Sequence, residues 1–167
     1  MIELFAFRLL ITFCVLTLAS IQDIQTRHIS DILWRIMLVF GCLYYVIDVY
    51  NGEITVIEIF FTGMLIAISY VIYRVYNQQE EWFGGADFKA FICIAIMLPV
   101  PFIFGMFPFS YAVIVIAELF AFAWYFPKAM KLPKDEWHKI KFPLIPFLLL
   151  GFILTTIIII FEGTGGT

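Results

Sequence analysis

Charge is what this chain has least of. Of its 167 residues only 14% are Asp, Glu, Lys or Arg, and 63% are hydrophobic, with a mean hydropathy of +1.02. A soluble domain is about half apolar and about a quarter charged. The shortfall excludes a soluble domain anywhere along the chain and identifies an integral membrane protein. The net charge of −3 is small. No basic patch with interleaved stacking aromatics is present, which argues against nucleic acid as a partner. Cysteine is also sparse: Cys14, Cys42 and Cys93 are odd in number, lie inside apolar segments and form no Cys-x-x-Cys pair that holds zinc. They read as packing residues. His28 and His138 are isolated, so neither a metal nor a cofactor is expected.

What the chain has is long apolar runs. A helix needs roughly 18 to 20 such residues to cross a hydrocarbon core of ~30 Å. Six runs fit, near Ile2 to Ile21, Ile32 to Tyr50, Ile54 to Tyr73, Phe88 to Met106, Pro108 to Phe126 and Phe142 to Phe161. The fourth and fifth are nearly continuous. The turn between them is expected at "GMFPFS" around Pro108, with Pro99 and Pro101 kinking the fourth helix. "TLAS" before Ile21 resembles a signal-peptide cleavage site, but Glu3 stands where a basic segment belongs, so the first run is expected to stay as a membrane helix. The reading is an all-α membrane protein: one domain over residues 1–167, a bundle of six transmembrane helices.

Basic residues in short loops are retained on the cytoplasmic side. Arg27 and Arg35 flank the first loop, Arg74 and Lys89 the third, and Lys128, Lys131, Lys134, Lys139 and Lys141 lie at the fifth. The second and fourth turns have none. Loops one, three and five are therefore expected in the cytoplasm and both termini outside it. Trp34, Trp82, Trp124 and Trp137 lie near the same boundaries, where amphipathic rings suit headgroup depth.

Two carboxylates fall on that side. Asp23 ends the first helix in "SIQDIQTRHISD", and Asp87 opens the fourth in "EEWFGGADFKAF". Asp87 alone is equally well read as an N-cap. Asp23 is harder to dismiss because a carboxylate at a helix C-terminus opposes the helix dipole, although it also reads as a solvated loop charge. If the two share a site, like charges a few ångströms apart hold one proton between them. One then serves as base towards a water and the other as acid. Gly84 and Gly85 beside Asp87 give backbone freedom or room for a substrate chain, or simply a flexible loop.

These residues carry a resemblance. The chain resembles the type IV prepilin peptidases and archaeal preflagellin peptidases, membrane aspartic proteases with a Gly-x-Gly-Asp signature. "DIQTRHISD", "GGADFKA" and "FPLIPFLLLGF", with six helices, spread the likeness over nearly the whole chain. The resemblance implies Asp23 and Asp87 as catalytic aspartates, Gly84, Gly85 and Ala86 as the signature loop, and no cofactor. It further implies cleavage of basic leader peptides of prepilin or preflagellin precursors at the cytoplasmic face of the cell membrane. Ala86 at the third signature position is similar to the archaeal branch. Ser30 and Asp31 stand where bacterial relatives carry Pro-Asn. The cysteine-bearing loop of bacterial relatives is missing, which speaks against methyltransferase activity. Asp31, Glu80 and Glu81 are candidates to attract a basic leader, or are ordinary solvated acids. The basic stretch from Lys128 to Lys141 fits topology and anionic headgroups of the bilayer better than substrate.

Two other classes remain open from the residues alone. Glu58 and Glu118, with Asp48, are acids within spans and suit an ion or proton path of a small transporter. Alternatively, Arg8 pairs with one of the glutamates and locks helices together. A non-catalytic pilus or secretion assembly factor is the third reading.

Overall fold

A computed structural model describes residues 2–77, 85–98, 102–103, 107–133 and 144–164. The expected six helices are present: α1 (Ile2–Thr26), α2 (Asp31–Tyr50), α3 (Val56–Asn77), α4 (Gly85–Met97), α5 (Phe109–Ala129) and α6 (Leu144–Thr164). Among the described residues four helices, α1, α2, α5 and α6, are long and apolar enough to cross a membrane. Large apolar side chains such as Leu43, Val46, Phe60 and Leu119 are exposed all around the bundle. Lipid is the solvent that such a surface requires.

Side-chain contacts fix the direction of each helix. Arg8 near the start of α1 pairs with Asp48 near the end of α2, so these two run antiparallel. Along α2 and α4, Asp31 meets Lys89, the Trp34 carbonyl accepts from Cys93 Sγ at 3.4 Å, and Gly41 lies against Ile96 and Met97. Those pairs rise together, so α2 and α4 are parallel. Tyr70 late in α3 meets Phe88 early in α4, and the Tyr111 hydroxyl donates to the Phe61 carbonyl at 2.8 Å. Trp124 meets Phe147, and Gly151 abuts Val113 and Ala117, so α5 and α6 are antiparallel. One end of the bundle thus collects the C-terminal ends of α1, α3 and α5 and the N-terminal ends of α2, α4 and α6. It is called the Asp23 end below; the opposite end carries Arg8 and Asp48.

The fourth helix differs from its expected length. α4 has 13 residues, about 20 Å at ~1.5 Å per residue, and stops at Met97 instead of reaching Met106. Proline disfavours helical geometry in the residue before it, and Leu98, which precedes Pro99, is already outside the helix; the expected kink at Pro99 and Pro101 lies outside the described residues. After α4, β1 (Phe102–Ile103) pairs antiparallel with β2 (Phe107–Pro108), and α5 follows at once. This is where the turn was expected.

α4 is the axis of the bundle. It touches each of the other five helices, and Ala90, Ile94, Ala95, Met97 and Leu98 are wholly buried. A helix apolar on every side belongs in such a place. Two other expectations shift. Trp34, at the expected end of the bundle, is buried against α4 instead of facing outward, because it lies one turn after Asp31 on the side of α2 that faces α4. Of the cysteines only Cys93 is buried; Cys14 and Cys42 are exposed.

α5 and α6 approach each other closely at Gly151. A β-carbon at Gly151 falls 2.4 Å from the Val113 carbonyl oxygen, a distance that forces the helices apart. Gly63 on α3 has nothing within 4 Å of the same point. Gly151→Ala is therefore expected to destabilise the protein by about 1–3 kcal/mol, and Gly63→Ala to be neutral or slightly stabilising. Thermal unfolding of both variants in one detergent checks the contrast.

Candidate active site

α1 carries its buried side chains in one stripe: Thr12, Val15, Leu16, Ala19 and Ser20. Asp23, three and four residues beyond the last two, continues that stripe towards the bundle. Its side chain is 13% exposed, and Arg27 Nη1, one turn on, is 4.0 Å from Oδ1. The carboxylate is therefore neither sealed in the core nor freely solvated.

The turn after Asp23 is tightly built. The Arg27 N–H donates to the Asp23 carbonyl at 3.1 Å, and Arg27 takes a left-handed φ of 55°, the geometry that closes many helices. Gln22 Oε1 accepts the Ser30 N–H at 2.9 Å, and Thr26 Oγ1 lies 2.9 Å from the Gln22 and His28 carbonyls. These bonds tie the start of α2 to the last turn of α1. The position of Asp23 relative to Asp31 follows from them.

α4 delivers the second carboxyl. Gly85 opens the helix and Asp87 lies half-buried in its first turn, where a carboxylate suits the helix dipole. Ala86 packs against the core. Lys89 Nζ is 2.6 Å from Asp31 Oδ1, holding the first turn of α4 beside the first turn of α2. Asp23 and Asp87 consequently occupy the same end of the bundle, on two helices that touch. Gly84, Glu80 and Glu81 lie outside the described residues. Asp31 faces Lys89, so any pull it exerts on a basic peptide is shared with that pair. Lys89 was legible only as a topological marker; its nearness to Asp31 required knowing that α2 and α4 run parallel.

The acids at the other end have structural partners. Arg8 makes a two-pronged bond to Asp48, reaches the Tyr44 carbonyl at 3.3 Å and lies over the Tyr44 ring at 4.8 Å. The expected lock is present, but the partner is Asp48 and not a glutamate. Glu58 caps α3: its carboxylate accepts the Thr55 N–H while Thr55 Oγ1 accepts the Glu58 N–H at 3.3 Å, a reciprocal capping box. Glu118 sits apart on α5. Among the described residues no three His, Cys, Asp or Glu side chains group as metal ligands.

A bundle of helices long and apolar enough to cross a bilayer, with two half-buried carboxyls on adjoining helix ends, defines a multi-pass membrane protein. Comparison with protein families makes this specific. The model of the type IV leader peptidase family matches residues 10–160, and the chain belongs to that family: it is a membrane protease of the leader-peptidase kind. No curated protein and no solved structure matches it.

Two measurements check the geometry. The energetic coupling of the Asp31→Ala and Lys89→Ala changes is expected to stay within about 1 kcal/mol, because the pair is solvent-exposed. Arg8→Leu, in contrast, leaves Asp48 buried and unpaired and should cost about 3–5 kcal/mol. Adding Asp48→Leu should recover most of that loss in the same unfolding assay.

Proposed function

We propose that this protein is an aspartic endopeptidase that cleaves the leader peptides of prepilin-like or preflagellin precursors, with Asp23 and Asp87 as its catalytic pair. The observation that carries the reading is the Lys89–Asp31 bond within the parallel α2–α4 pair, which holds the first turn of α4 at the end where α1 delivers Asp23. Membership of a leader-peptidase family favours proteolysis over transport or a purely structural role. So do the structural partners of Asp48 and Glu58.

In the proposed reaction the two carboxyls share one proton. The ionised member takes a proton from a water as that water attacks the scissile carbonyl carbon. The protonated member donates a hydrogen bond to the carbonyl oxygen as it gains negative charge. The C–N bond then breaks, and the departing amine is protonated by the carboxyl that accepted the water's proton. Burial of both acids against helices strengthens these interactions relative to bulk water. The partial exposure of Asp23 lets water in.

The end that carries Arg27, Arg35, Arg74, Lys89 and Lys128 is assigned to the cytoplasm by the bias of basic residues towards that side, which puts cleavage at the cytoplasmic surface. Glu80 and Glu81 precede Asp87 in sequence and are suited to draw a basic leader to it, with a pull that weakens as salt rises.

Co-expression with a prepilin-like substrate tests the pair. Asp23→Asn and Asp87→Asn are each expected to lower processing by at least about 10²-fold while the protein remains inserted and folded. Normal processing by either variant overturns the mechanism.

A further inference from the structure

Glu118 is the acid that neither the proposed chemistry nor the helix locks explain. It lies on α5 roughly 14 Å from the helix start and roughly 17 Å from its end at about 1.5 Å per residue, close to the middle of a ~30 Å hydrocarbon core. It is exposed, and it has no hydrogen-bond or ion-pair partner among the described residues. Asp48 and Glu58, which are buried, both have partners. A polar group in hydrocarbon is costly and is almost always turned towards protein or a water-filled cavity.

The face around Glu118 has a helix-pairing pattern. α5 packs inward through Val113, Ala117 and Ala121, all wholly buried. On the opposite side Val115, Leu119, Phe122 and Phe126 are 51%, 63%, 61% and 45% exposed. Their spacing of four, three and four is that of the contact seam between two helices wound around each other. Glu118 lies at the edge of this seam, next to Leu119.

We propose that this face of α5 joins two copies of the chain in a parallel dimer, with the two Glu118 side chains hydrogen-bonded to each other inside the membrane. Copies inserted with the same topology are related by a twofold axis along the membrane normal, so a residue meets its own counterpart at equal depth. A carboxylic acid suits that position because its neutral form donates and accepts at once. The seam supplies no other donor at that depth: the basic residue on α5 is Lys128, in the last turn. A foreign helix would have to bring a matching polar group, whereas a second copy carries one already.

The test uses the full chain in phosphatidylcholine–phosphatidylglycerol vesicles, with exposed Cys14 and Cys42 replaced by alanine and buried Cys93 kept. Leu119→Cys or Phe122→Cys is then oxidised and compared with Val46→Cys, which is exposed on α2. Disulfide-linked dimers should form at the α5 positions and not at the α2 control. Glu118→Gln, whose amide also donates and accepts, should keep the cross-link. Glu118→Leu should lower it roughly threefold or more, and its position on an exposed face leaves folding intact. Cross-linking no better than at position 46, an unchanged yield with Glu118→Leu, or capture of a different protein by these positions in native membranes overturns the proposal.

Discussion

The arrangement of this protein rests on the burial of α4. Surrounded by the five other helices, it has no side on which to drift except its first turn, and there the Lys89–Asp31 pair ties it to α2. Such an exposed ion pair adds little to stability. Its importance is positional: the apolar body of α4 sets which neighbours it has, while the pair sets where along α2 its start is held. Asp87, two residues earlier, inherits that placement.

The opposite end depends on another balance. The Arg8–Asp48 pair is buried, and removing either partner leaves a charge that lipid and protein cannot solvate. It ties α1 to α2 at the far end, where Glu58 caps the start of α3. This leaves the Asp23 end to be organised by the short α1–α2 turn, whose bonds run from the Gln22 and Thr26 side chains to backbone groups. One end is locked by a buried ion pair and the other by turn bonds and the exposed Lys89–Asp31 pair, and the candidate catalytic carboxyls sit at the second.

Six helices and the common end of Asp23 and Asp87 were legible because hydrocarbon thickness dictates run length and basic residues mark one surface. The end of α4 was not. Phe88 to Phe126 is nearly continuous in hydrophobicity, and composition does not distinguish a proline that bends a helix from one that stops it; the neighbours that would rescue freed carbonyls decide that. The partner of Arg8 could have been found by depth, since Arg8 lies near the start of α1 and Asp48 near the end of α2. The burial of Trp34 and the Lys89–Asp31 contact were not legible for one shared reason: the parallel packing of α2 and α4 joins residues far apart in sequence, which no periodicity within either helix reveals. The separation of the two catalytic candidates is likewise a property of helix packing and not of sequence spacing.

The shortness of α4 also bears on biogenesis. At about 20 Å by ~1.5 Å per residue, it cannot satisfy a bilayer alone, and its burial becomes favourable only once neighbours stand ready to receive it. Because its parallel partner α2 is separated from it by the whole of α3, docking must wait until α3 has crossed. Until α4 has docked, a partly assembled chain carries Asp23 without Asp87 beside it. If the two carboxyls act as the proposed pair, hydrolytic capacity appears only once α4 has docked, which spares a newly made membrane from a protease that is not yet enclosed.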